Sequence, residues 1–182
     1  MTEKRYLIHL QFLGFRYHGW QKQSGVKTVE GMVEKTLDFI TSTDQEPAAH
    51  YRLCGASRTD ALVSAGHYAL LLISRNRLDP ERFTDLLNQN LPPDIRVIRT
   101  EPKPPGFDIR NAPRSKEYLY LFSWGRKMHP FAAPLVACFP GDLDIGRMQA
   151  GAALFAGTHE FIQYCTKPGP RTQTRRRVQV SE

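Results

Sequence analysis

The chain has 182 residues, 41% of them hydrophobic and 24% charged, with 13 Gly, 13 Pro and a formal net charge of +7. That length and apolar share suffice for one ordinary domain or two small ones, each with its own core, and they exclude disorder and fibrous structure. The longest aliphatic run, Ala69 to Ile73, falls far short of the roughly 20 residues a membrane helix needs, and Glu3, Lys4 and Arg5 stand where a signal peptide would lead into its apolar stretch, so a soluble cytoplasmic protein is expected.

From Arg5 to Leu13, Tyr6, Ile8, Leu10 and Phe12 alternate with Leu7, His9 and Gln11, which predicts a strand. Thr28 offers a helix N-cap, and Val29, Val33, Leu37 and Ile40 follow it as one apolar helical stripe. Strands are expected at Tyr51 to Ala56 and at His67 to Ile73. Asp79-Pro80 is a cap followed by a first-turn proline, Phe83, Leu86 and Leu87 supply a helical face, and Leu91-Pro92-Pro93 stops that helix before a strand at Ile95 to Thr100.

The resulting order, β-α-β-β-α-β, is the split βαβ or ferredoxin-like arrangement, with helices on one face of an antiparallel sheet and the other face free for a ligand. Glu101 to Gly106 is too proline-rich to continue a helix or a central strand and is read as a connection. It divides an N-terminal domain, residues 1–105, from a partial second domain, residues 106–182. There a strand is expected at Lys116 to Trp124, a helix through Ile145, Met148, Ala152 and Phe155, and strands near Phe161 to Cys165 and Arg176 to Val180. The expected fold class is therefore α+β: two ferredoxin-like units with antiparallel sheets, the second truncated because its closing α-β pair is missing. The chain reads as a fragment, or as one whose missing elements come from a partner.

Over residues 126–182 there are 8 Lys or Arg against 4 Asp or Glu, and Lys167, Arg171, Arg175, Arg176 and Arg177 crowd together. Such a cluster suits a polyanion, since neutralising phosphates releases counterions; a solvated basic strand has the same composition. Cys54, Cys138 and Cys165 are far apart and form no Cys-x-x-Cys pair, so neither a disulfide framework nor a metal site is expected.

Between the second and third strands, Gly55 to Gly66 holds Arg58 and Asp60 in a loop of small residues. A carboxylate beside a guanidinium can serve as nucleophile or base next to an anion-binding cation; the same pair can simply cap a turn or form a surface ion pair. Tyr118, Tyr120 and Phe122 can form a stacking platform for bases or belong to the core, with two of the three expected to be core. Phe15 to Gln23, which includes Lys22, mixes aromatic and basic residues in a way that suits a ribose-phosphate chain or an ordinary packed loop. His159 is read as a structural hydrogen-bonding residue. No Gly-rich phosphate loop, Gly-x-Gly-x-x-Gly or Gly-x-Ser-x-Gly occurs, which leaves nucleotide hydrolysis, dinucleotide chemistry and serine hydrolysis without support.

Six stretches in order resemble the tRNA pseudouridine synthase A (TruA) family: Gly19-Trp20-Gln21-Lys22-Gln23 with Thr28-Val29-Glu30; Ser57-Arg58-Thr59-Asp60-Ala61; Leu91-Pro92-Pro93-Asp94-Ile95-Arg96-Val97; Phe107-Asp108-Ile109-Arg110; Ser115-Lys116-Glu117-Tyr118-Leu119-Tyr120; and Gly157-Thr158-His159-Glu160-Phe161. The resemblance implies that Asp60 is the nucleophilic carboxylate in isomerising uridine to pseudouridine. It also implies that Arg58 assists flipping of the base, that Tyr118 stacks on it, and that Thr59 lies with them against the substrate. The partners it implies are tRNA, gripped at the anticodon stem-loop by a basic surface to which Lys22, Arg175, Arg176 and Arg177 are assigned, and a second copy in a homodimer. No cofactor or metal is expected. Most relatives continue the motif as Asp-Ala-Gly-Val-His-Ala, whereas here it reads Asp60-Ala61-Leu62-Val63-Ser64-Ala65. A branched side chain at Leu62 predicts a backbone outside the left-handed region. The rival reading, from another class, is a non-catalytic protein of the same descent that grips structured RNA.

Overall fold

The computed structural model describes residues 3–42, 51–112, 115–166, 168–170 and 172–182, which form two compact units. Unit 1 comprises Met1–Leu121 with His129–Val136, and unit 2 comprises Phe122–Met128 with Ala137–Glu182. No helix among the described residues is long and apolar enough to cross a membrane.

Unit 1 is built from β1 (Lys4–Phe12), α1 (Val29–Ser42), β2 (Tyr51–Gly55), β3 (Ala65–Ser74), α2 (Pro80–Asn90) and β4 (Ile95–Lys103), with a 3-10 turn at Gly14–Arg16 after the first strand. The four strands form one sheet in the order β2-β3-β1-β4, and every pairing in it is antiparallel. The alternation in β1 divides its side chains as expected: Tyr6, Ile8, Leu10 and Phe12 join Val29, Val33, Leu37 and Ile40 of α1 and Phe83 and Leu87 of α2 in one core. Burying each such side chain contributes about 1.5–3 kcal/mol, well above the roughly 0.7 kcal/mol spread of helix propensities, so the stripe rather than intrinsic preference sets where the helices lie.

Both helix starts carry the expected caps. The Gly31 amide donates to Thr28 Oγ1 at 3.3 Å, and the amides of Glu81 and Arg82 donate to Asp79 Oδ1 at 3.0 and 3.1 Å. Two expectations for this unit need correction. The face opposite the helices is only partly free, because Leu7, Leu71 and Ile73 are covered by Ile109, which is 1% exposed, and by Phe107. The proline-rich stretch does not end the last strand either: β4 runs through Pro102 to Lys103. Its place at the sheet edge is the reason, since an edge strand has an unpaired side where a missing N–H costs no ladder bond.

Unit 2 contains β5 (Phe122–Trp124), β6 (Ala137–Phe139), α3 (Ile145–Ala153), β7 (Gly157–Glu160) and β8 (Arg175–Val178). β7 and β8 pair antiparallel, but β5 and β6 pair parallel, contrary to the wholly antiparallel expectation. The strand expected from Lys116 is confined to Phe122–Trp124, and Tyr118 and Tyr120 are 82% and 68% exposed rather than core. Phe155 lies beyond the end of α3, and the strand expected over Phe161 to Cys165 is a 3-10 turn at Ile162–Tyr164. A strand would send Phe161 and Tyr164 to opposite faces, whereas a 3-10 turn aligns residues three apart and lets both rings pack on Phe155, at centroid distances of 6.4 and 5.7 Å.

Candidate active site

The loop from Ala56 to Ser64 joins β2 to β3, and its backbone is held at successive points by unit 1. The Tyr68 hydroxyl donates to the Ser57 carbonyl, the Trp20 amide donates to the Thr59 carbonyl at 3.1 Å, and the Leu62 amide donates to the Tyr17 carbonyl at 3.1 Å. At the loop's end the Ser64 hydroxyl accepts from the Gly14 amide at 2.9 Å, which gives this serine a definite local role. Trp20 is 2% exposed and stacks on Tyr68 at 4.0 Å, so the two side chains that flank the loop support each other.

Close packing reinforces these bonds. Gly19 has φ +85, and a Cβ there would sit 2.5 Å from the Thr59 carbonyl oxygen. A Cβ at Gly14 would collide with the Val63 carbonyl. Only glycine lets the first loop of the unit lie directly against the second. Leu62 itself adopts φ 68, the sole non-glycine with positive φ among the described residues, which overturns the expectation that its side chain keeps the backbone out of the left-handed region. The hydrogen bond to Tyr17 and the bond from the Val63 amide to the Asp60 carbonyl, 3.3 Å, hold that conformation against its steric cost.

Against this fixed backbone, the side chains differ. Asp60 and Arg58 are exposed, and among the described residues the Asp60 carboxylate neither caps a turn nor pairs with a cation. Among the described residues the two side chains therefore form no ion pair with each other. Thr59 is half-buried, with its Oγ1 shut off from solvent and without a hydrogen-bond partner among the described residues. Lys116, two residues before Tyr118, donates from Nζ to Ser57 Oγ at 3.0 Å, so the Lys-Glu-Tyr segment is tied to the start of the same loop.

Other expected residues are placed elsewhere. Lys22 Nζ lies 2.5 Å from Glu34 Oε2, and that hydrogen bond raises the lysine's pKa; a phosphate at Lys22 has to compete with this carboxylate. Arg175, Arg176 and Arg177 lie in β8 of unit 2 and are exposed, opposite Glu160, His159 and Thr158 of β7. Lys167 and Arg171 of the same basic cluster lie outside the described residues. His159 Nε2 is 2.7 Å from the Ala156 carbonyl, the structural bond expected of it.

Of the two readings of Phe15 to Gln23, the packed loop describes Tyr17 and Trp20, which are 1% and 2% exposed and hold the Asp60 loop through their backbone. The run of aromatic residues around Gly14 and Gly19 was the available signal: large rings interleaved with glycines mark a segment whose backbone must touch another chain segment while its side chains fill the core.

The family described as tRNA pseudouridine synthase matches residues 8–110 of this chain. A tRNA pseudouridine synthase A of Caldicellulosiruptor bescii is 30% identical over 173 residues, covering 94% of this chain and 68% of the relative. The proteins of the same name from Streptococcus equi subsp. equi and Chlorobium phaeobacteroides are each 32% identical, over 160 and 172 residues, covering 88% and 93% of this chain. The chain spans 62% and 63% of those two relatives' lengths.

Proposed function

This chain belongs to the tRNA pseudouridine synthase family, a family of RNA isomerases, and on that premise we propose that it converts uridine to pseudouridine in tRNA with Asp60 as the nucleophile. One observation carries the reading: the backbone around Asp60 is bonded on both sides, whereas its carboxylate is exposed and has no hydrogen-bond or ion-pair partner among the described residues. A carboxylate held in place by its loop can attack an electrophilic carbon without a metal. In the reaction the bond from uracil nitrogen to the ribose breaks, the ring turns, carbon five bonds to the sugar instead, and the temporary bond to Asp60 breaks to return the free carboxylate. The proton lost from carbon five is balanced by the one gained at nitrogen, so the isomerisation consumes no co-reactant.

A uridine stacked in a stem is out of reach until extruded. Arg58, exposed beside Asp60, is suited to filling the gap it leaves, and Tyr118, 82% exposed, offers an open ring face for the swung-out base. Thr59 then acts through the loop's shape, since its hydroxyl is buried. The wider assignment is an anticodon stem-loop gripped at phosphate by Lys22 and by Arg175 to Arg177, in a cytoplasmic homodimer. The ferredoxin-like reading of residues 1–105 is supported by the strand order β2-β3-β1-β4 with helices after β1 and β3. Residues 106–182 are assigned to a partial second unit.

The test is Asp60→Ala. Pseudouridine mapping in tRNA incubated with the protein is expected to show complete loss of product, with tRNA affinity changed less than about threefold because phosphate contacts supply most of it. A wild-type protein that binds tRNA in a salt-dependent way and forms no pseudouridine would instead establish the non-catalytic RNA-binding reading.

A further inference from the structure

Asp94 follows the Leu91-Pro92-Pro93 stop of α2 and begins the turn into β4. Its side chain is 8% exposed and both oxygens are in use: the Tyr17 hydroxyl donates to Oδ1 at 2.6 Å, while Nε and Nη2 of Arg16 donate to Oδ2 at 3.0 and 2.7 Å. Its carbonyl accepts from the Leu13 amide at 2.9 Å. Asp94 thereby grips the 3-10 turn at Gly14–Arg16 from the residue before it and from Arg16 and Tyr17. Burial tends to raise the Asp94 carboxyl, but the hydrogen bonds from Tyr17 and Arg16 outweigh it and hold the group below the usual carboxylate value, so it is ionised at neutral pH.

The same turn touches the loop that carries Asp60 at two points, through Gly14 to Ser64 and through Tyr17 to Leu62. We propose that Asp94 and Tyr17 are positioning residues, which set the place of the Asp60 loop through the Tyr17 carbonyl and the left-handed Leu62. Tyr17 is 1% exposed and its ring lies under Lys27 Nζ at 4.8 Å, so the side chain cannot swing to a new partner if its hydroxyl bond is lost. Charge-assisted bonds such as these are roughly twice as strong as neutral ones and fix direction as well as distance. A displacement of about 1 Å at a reacting group can cost a hundredfold in rate, so a clamp acting on the loop is visible in turnover.

The inference rests on Asp60 being the nucleophile, and the experiment separates the two claims. In the full chain, Tyr17→Phe and Asp94→Asn are assayed for kcat and KM on a tRNA transcript, and amide hydrogen exchange is followed at Leu62 and at Leu70 in β3. Tyr17→Phe is expected to lower kcat about tenfold or more with KM within about twofold, and to speed exchange at Leu62 relative to Leu70. Asp94→Asn keeps an oxygen for the Tyr17 hydroxyl and is expected to give the smaller effect. Unchanged kcat and Leu62 protection in Tyr17→Phe would overturn the clamp; so would losses that follow global unfolding and touch Leu62 and Leu70 alike. If the wild type forms no pseudouridine, the assignment of Asp60 fails, and Leu62 exchange alone then decides the clamp. Should Tyr17→Phe not fold, Arg16→Gln removes an exposed arm of the same clamp, and faster Leu62 exchange with lower kcat is again the supporting result, an unchanged pair the opposing one.

Discussion

The Leu62 amide donates to the Tyr17 carbonyl at 3.1 Å from a residue held at φ 68. A non-glycine side chain in this region costs roughly 1–2 kcal/mol, and the side chain itself is 61% exposed, so little burial offsets that cost.

Leu62→Gly is therefore expected to stabilise the protein. Relief of the left-handed strain exceeds the roughly 0.5–1 kcal/mol of extra chain entropy that glycine loses on folding, leaving a gain of about 0.5 kcal/mol. Thermal denaturation should show Tm rising by about 1–2 °C; a fall would mean that Leu62 packs more tightly than its exposure indicates.

Gly19→Ala tests the contact between the two loops. At φ +85, with the Thr59 carbonyl 2.5 Å from the new methyl, the substitution is strained in its own backbone and pushes on the residue before Asp60. A loss of about 1–3 kcal/mol is expected in denaturant titration, together with a fall in turnover of at least about tenfold as the loop shifts.

Strand geometry sharpens the expectation for the basic cluster. Arg175 and Arg177 share one face of β8, whereas Arg176 points to the other and its Nη1 donates to Gln173 Oε1 at 3.1 Å. If all three contact phosphate, Arg175→Gln with Arg177→Gln should reduce the slope of log affinity against log salt by roughly 1.5, and adding Arg176→Gln should reduce it by about 0.7 more. A slope that responds only to Arg176 would assign the opposite face.

Acid is expected to weaken unit 1 through two carboxylates. Hydrogen bonds from Lys103 and then Arg99 lower Glu101 from 4.5 to about 2, and Asp94 also lies below its ordinary 3.8. For groups whose folded pKa is depressed, the stability is fully present above the unfolded value and lost as pH falls through the folded one. Circular dichroism should thus show stability level above about pH 5 and declining from 4.5 toward 2, with Glu101→Gln flattening part of that decline.

Much of unit 1 is legible in the sequence. The stripe at Val29, Val33, Leu37 and Ile40 and the caps at Thr28 and Asp79 depend on neighbours a few residues away, so local pattern determined both helices, and β1 followed from its alternation. The loop with Arg58 and Asp60 was legible as a motif for the same reason.

Tertiary structure alone decided what depends on distant partners. Pro102 belongs to β4 because that strand lies at the sheet edge, Phe107 and Ile109 cover a face that looked open, and Phe161 and Tyr164 turn together to meet Phe155. Leu62 enters left-handed space because Tyr17, 45 positions earlier, offers its carbonyl there, and Asp94 matters to that loop only through a turn held in three dimensions. Local sequence selects among backbone states that differ by about a kilocalorie, and contacts between remote segments are large enough to reverse that choice.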